Sequence, residues 1–192
     1  MFEWLKNLMV GGESGTPEYE LARQLYDRVV RQARQPVFFR EIGVADTLPG
    51  RFEMVSLHMF ILLDRLVGKD RASDEIAQQL VDVMFDDMDD VAREVGIGDM
   101  GVGPRIKKLA RSFRSRLEYY KETIGGGPRG TLSDAILDVF FDKDKERRSQ
   151  AKQLAAYVIK EQSRLGEMSL RDISKADPLF GVFEENKGKE EG

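Results

Sequence analysis

Asp86-Asp87-Met88-Asp89-Asp90 is the stretch of this chain best equipped for chemistry. It matches Asp-Asp-x-x-Asp, a pattern with which helical enzymes hold a diphosphate through Mg2+. On a helix, Asp86 and Asp90 stand one turn apart and Asp82 a turn earlier, so their carboxylates share a face and bracket a hard cation. Such a site also needs the aspartates aimed into a cavity, and a second acidic cluster on a facing helix. The other local acids, Asp142 and Asp144, alternate with Lys143 and Lys145 and do not supply one. At 100° per residue, Ile76, Ala77, Leu80, Met84, Met88, Val91, Ala92 and Val95 occupy one half of the wheel, and Asp82, Asp86, Asp89 and Asp90 the other. The pattern therefore reads as the solvated side of an amphipathic helix. No catalytic residue, metal ligand, cofactor or small-molecule substrate is assigned.

Other routes to catalysis have little material. The chain has no cysteine, which removes thiolate chemistry and disulfides and fits a reducing compartment. Its single histidine, His58, lies among Leu57, Met59 and Phe60 and reads as a hydrogen-bonded core residue. An enzyme is not expected.

The second chemical feature is a charge pattern that reads either as a docking surface or as a solvated face partly neutralised by the acidic helix joined to it. From Pro104 to Lys121 there are seven bases (Arg105, Lys107, Lys108, Arg111, Arg114, Arg116 and Lys121) against Glu118, a local balance of +6. From Asp82 to Asp99 there are seven acids against Arg93, a balance of −6. A net charge of −4 conceals both patches. Ile106, Leu109, Ala110, Phe113, Leu117 and Tyr120 form an apolar stripe that leaves all seven bases outside it. Like charges this close weaken a helix unless a partner offsets them. Ribosomal RNA, an anionic membrane surface or an acidic protein would each serve, and Arg105, Lys107, Lys108, Arg111, Arg114 and Arg116 are the expected partner-binding residues.

The elements that must carry these features are helical. Thr16-Pro17-Glu18 opens a helix on Leu21, Leu25, Val29 and Ala33. Residues 51–67 are apolar on nearly every side and belong at the centre of a domain. Helices are expected from about Ser73 to Val95, Pro104 to Thr123, Leu132 to Phe141 and Lys145 to Leu165, with glycine-rich breaks between several of them. Pro36 before Val37-Phe38-Phe39 suggests an extended connector. The fold expected is all-α, a single-domain bundle of about six or seven helices over residues 16–180.

Both ends lie outside that bundle. Residues 1–15 read as a short amphipathic helix with a flexible linker, and 181–192 as a charged tail. Phe2, Trp4, Leu5 and Leu8 share one side of the first segment, suited to a membrane interface, to a client, or to docking on the chain's own bundle. The start is not a secretory signal, since Glu3 and Lys6 interrupt it, and no apolar run reaches the roughly 18–20 residues of a membrane span.

Two stretches together resemble a known family. One is Ala45-Asp46-Thr47-Leu48-Pro49-Gly50-Arg51-Phe52-Glu53 running into Leu57-His58. The other is Asp89-Asp90-Val91-Ala92-Arg93-Glu94-Val95-Gly96-Ile97-Gly98-Asp99, followed by Val102-Gly103 and Lys107-Lys108. Their order and spacing are similar to the ubiquinol–cytochrome c chaperones, assembly factors of the cytochrome bc1 complex, over roughly Tyr19 to Tyr157. The resemblance implies a non-enzymatic helical chaperone of newly made cytochrome b or another bc1 subunit. Mitochondrial members act with a small partner protein near the ribosome exit. For a bacterial-type chain it implies a cytoplasmic location, peripheral at the inner membrane. The motif residues Asp46, Gly50, Arg51, Glu53, Gly96, Gly98 and Asp99 are expected to be structural: Asp46 bracing the entry to the apolar helix, Arg51 and Glu53 tying the loop down. Phe113-Arg114-Ser115-Arg116 departs from the family's aromatic-glycine-arginine ending and leaves any role of the missing residues unsupported.

Overall fold

Three proline-led helix starts set the first half of the chain in a computed structural model that describes residues 15–94 and 99–183. Thr16 caps α1 (Pro17–Ala33), its hydroxyl accepting from the Tyr19 amide at 3.1 Å. Pro36 opens α2 (Pro36–Arg40), a five-residue helix where an extended connector was expected. Proline at a first helical position forfeits no bond, and fully buried Phe38 secures the turn from inside. Thr47 caps α3 (Leu48–Leu66), with Pro49 in its first turn.

α3 is the axis of the molecule. Every residue from Met54 to Leu63 is buried, which explains a sequence apolar on all sides. α1, α4 (Arg71–Glu94), α5 (Asp99–Thr123), α6 (Leu132–Phe141) and α7 (Arg148–Gly166) all pack against it. A single 3-10 turn, Lys145–Arg147, begins the last of these, and short α8 (Leu170–Lys175) follows. Capping boxes at Thr131/Asp134 and Ser169/Asp172 fix the starts of α6 and α8. Among the described residues there are thus six helices of ten residues or more, two short ones and no strand, in one domain.

α5 starts at Asp99, five residues before the expected Pro104. Gly101, Gly103 and Pro104 fall in its first two turns. Pro104 is the sixth residue of α5, past the four amides that lack an intrahelical partner, so it forfeits one bond, to the Met100 carbonyl. Among the described residues no helix is long and apolar enough to cross a membrane.

Candidate functional site: a charged two-helix arm and the loop beneath it

α4 and α5 run past the core that holds them. The buried face of α4 extends from Ile76 to Phe85; of its described residues from Asp86 to Arg93, none is buried. α5 reaches the core at Phe113, and none of its described residues from Gly103 to Ser112 is buried. Phe85 and Phe113 meet edge-on at 5.9 Å and mark the base of a two-helix arm. Val91 lies within about 20° of Leu80 and Met84 on the wheel. Those two are sealed in the core, whereas Val91 is 40% exposed. Ile106, Leu109 and Ala110 likewise continue the stripe of Phe113 and Leu117 but are only half-buried.

The aspartates divide among separate tasks. Asp82 is buried, not solvated as its wheel position suggested, and takes two hydrogen bonds from Gln78 Nε2 at 3.1 and 3.2 Å. Burial raises its pKa, partly countered by Gln78. Asp87 accepts the Tyr26 hydroxyl proton at 2.8 Å, tying α4 to α1. Asp89 pairs with Arg93 at 2.7 Å one turn away. Asp86 and Asp90 face solvent. Desolvation raises the Asp86 pKa, and the charges of Asp90 and Asp89 raise it further.

The bases also divide: not all of those expected to bind a partner are turned outward. Arg105, Lys107, Lys108 and Arg111 are exposed, and among the described residues no carboxylate lies within ion-pair distance of them. Arg111 donates to the Lys107 carbonyl at 3.3 Å. Arg114, half-buried, pairs with Glu118 at 2.9 Å. Arg116 turns to the core helix and grips Glu53 of α3 through both Nε and Nη2 at 2.9–3.1 Å. Lys121 reaches Asp64 of α3 at 2.6 Å. The inner half of α5 is bolted to α3; among the described residues, the cations without an ion-pair partner on this helix lie on its outer half.

The loop before α3 is built around one glycine. Thr47 Oγ1 accepts from the Gly50 amide at 3.2 Å, and Asp46 meets Arg51 at 2.7 Å. A Cβ on Gly50 would lie 2.0 Å from the Ala45 carbonyl oxygen, so no larger residue fits this turn. Asp46 therefore braces the helix entry through Arg51 while Thr47 provides the cap. Glu53 ties α3 to α5 rather than the loop to itself. The loop presents Leu48 at 63% exposure. Asp99 is the first residue of α5. Gly96, Gly98, Phe2, Trp4, Leu5 and Leu8 lie outside the described residues.

Sequence reasoning missed a buried polar chain. Gln32 Nε2 donates to the Tyr157 hydroxyl at 3.0 Å, which in turn donates to His58 Nε2 at 3.1 Å; His58 Nδ1 donates to the Met54 carbonyl at 2.8 Å. The network assigns this tautomer. Burial drives the His58 pKa down to about 4, against smaller upward effects of the Met54 carbonyl and Glu161. Glu161 is 1% exposed and pairs with Arg164 at 2.7 Å. It also accepts the Gly181 amide at 3.0 Å, locking the C-terminal segment onto α7, where Leu179, Phe180 and Phe183 are buried. Tyr157 and Glu161 stand at i, i+4 among Leu154, Val158 and Leu165, and polar residues on an apolar stripe were the available signal.

The loop, the inner braces and the arm all fall inside residues 40–180, the interval over which the chain matches the family model described as ubiquinol-cytochrome C chaperone. The chain belongs to the ubiquinol-cytochrome c chaperone family. Among relatives of this chain is the Drosophila melanogaster ubiquinol-cytochrome c reductase complex assembly factor 1, 25% identical over 170 residues. That alignment covers 86% of this chain and 65% of the fly protein, so the chain spans less than two thirds of the length of that curated relative. A crystal structure of the Cbp3 homolog from Brucella abortus superposes with a TM-score of 0.74 at 33% identity, covering 85% of this chain and 90% of that one.

Proposed function

We propose that this family member is a non-enzymatic assembly factor of the cytochrome bc1 complex and that newly made cytochrome b is its client. Carrying the reading is the family match over residues 40–180, which takes in both the braced loop and the charged arm. Its structured polar groups support a binding role. Arg116–Glu53 and Lys121–Asp64 hold α5 to α3, and Glu161–Arg164 fastens the C-terminal segment to α7, while among the described residues Arg105, Lys107, Lys108 and Arg111 of the arm have no carboxylate within ion-pair distance. Cytochrome b is a membrane protein, so its helper works at the cytoplasmic face of the inner membrane, where the client emerges. The test is crosslinking of tagged chain to pulse-labelled nascent products in the host. Enrichment of cytochrome b over other membrane proteins is expected; equal recovery of unrelated membrane proteins contradicts the assignment.

The exposure of Arg105, Lys107, Lys108 and Arg111 favours a second reading, in which α5 docks on ribosomal RNA or an anionic membrane surface. Such contact loses affinity steeply with salt because bound counterions are released. Salt-insensitive ribosome pelleting and liposome flotation would remove it.

A further inference from the structure

The arm's two helices carry opposite charge. Among the described residues, no ion pair links Asp86 or Asp90 of α4 to Arg105, Lys107, Lys108 or Arg111 of α5. Packed helices lie about 8–10 Å apart, within a Debye length of roughly 8–10 Å, so whatever approaches the basic helix also feels the acidic one. A phosphate-rich surface is drawn by the first and repelled by the second. The arm instead fits a partner that offers both signs, on two adjacent helices in the reverse arrangement.

We propose that this partner is the same arm of a second copy of the chain. A two-fold axis places each acidic α4 tip against the basic α5 of its mate, because in such an interface every contact occurs twice with roles exchanged. The resulting antiparallel four-helix cluster also completes the apolar stripes. Val91, 40% exposed, and half-buried Ile106 and Leu109 gain the cover that their counterparts Met84 and Phe113 receive from the core. The inference concerns self-association and stands whichever client the chaperone serves. The arm is about 20 Å long and two helices wide, a footprint on the order of 400 Å2, below the roughly 800 Å2 per partner of a stable interface. The dimer is therefore weak, in the micromolar range, and dependent on its charges.

Sedimentation velocity on the full chain, over a concentration series at low and high salt, tests this. Wild type is expected to dimerise reversibly and to weaken with salt. Two charge-reversed variants, Asp86→Lys with Asp90→Lys and Arg105→Glu with Arg111→Glu, are each expected to self-associate roughly a hundred-fold more weakly, since four symmetric pairings turn from attraction to repulsion. Mixed together, they form a heterodimer in which both contacts are again attractive. Should a reversed variant lose its helical circular dichroism, Val91→Cys keeps all charges and introduces the chain's sole thiol. A short bismaleimide then yields covalent dimer at low salt and far less at high salt. A wild type that stays monomeric at every concentration overturns the proposal. So do reversed variants that fail to associate when mixed, a Val91→Cys chain that does not crosslink, or RNA or anionic vesicles bound by a chain that never self-associates.

Discussion

Acidification should unfold this protein partly through one residue, His58. In the folded chain its ring is wholly buried, Nδ1 donates to the Met54 carbonyl and Nε2 accepts from Tyr157, so no site remains for a second proton. Its pKa is depressed from an ordinary 6.5 to about 4. Between those values the unfolded chain holds more protons than the folded one, so stability is fully present above the unfolded value and declines as pH falls. Linkage gives a loss of about 2 kcal/mol at pH 5 and about 3 kcal/mol below pH 4 from this group. Asp46, Asp70, Asp134 and Asp172, whose pKa values are lowered by hydrogen bonds, add losses only as pH falls through the carboxylate range. Raised Asp82 and Asp86 act in the opposite sense. Urea unfolding of wild type and His58→Phe across the range from neutral to mildly acid separates these contributions. The variant starts less stable, because Tyr157 and the Met54 carbonyl lose their partner, but its stability should fall by about 2 kcal/mol less between pH 7.5 and pH 5. Parallel pH profiles for the two proteins would falsify the assignment of a neutral, network-held imidazole.

Gly50→Ala forces a Cβ to within 2.0 Å of the Ala45 carbonyl and should cost about 2 kcal/mol or more, read as a lower urea midpoint. An ordinary surface-sized effect would mean the turn is not as drawn. A double-mutant cycle on Glu53→Ala and Arg116→Ala should return about 1–2 kcal/mol of coupling, because the bidentate pair is only 15% and 30% exposed. Additive single changes would break the link between α3 and α5. Glu161→Ala should cost about 2–3 kcal/mol and raise proteolysis of the segment after Lys175. Breaking a buried pair costs more in general, but Arg164 is 37% exposed and regains water. Unaltered proteolysis would show that Glu161 does not hold that segment.

The main helices were legible because burial follows period. The unbroken apolar run through Met54–Leu63 could only be a central helix, and the Thr16-Pro17 start behaved as capping chemistry requires. α2 was missed because five residues are too few to set a period, and because Phe38 is buried by tertiary contacts. The early start of α5 was missed since Gly101, Gly103 and Pro104 carry the lowest helix propensities and read as a break, yet the helix runs through them. The wheel placed Arg116 and Lys121 on the polar side correctly but could not say that α3 stands there with Glu53 and Asp64. A wheel separates apolar from polar; it does not separate water from an oppositely charged neighbour. For the same reason Asp82 looked solvated although Gln78 and the core enclose it. The motif loop was expected to be structural; the reason Gly50 is needed there came only with the Ala45 carbonyl.

The assignment to bc1 assembly is tested most directly by deleting the gene in its host and measuring cytochrome b and assembled bc1 complex, spectroscopically and on native gels. Both should fall sharply, with other respiratory complexes retained, and both should return when the intact chain is supplied. Wild-type levels of cytochrome b and of the complex in the deletion strain would contradict it.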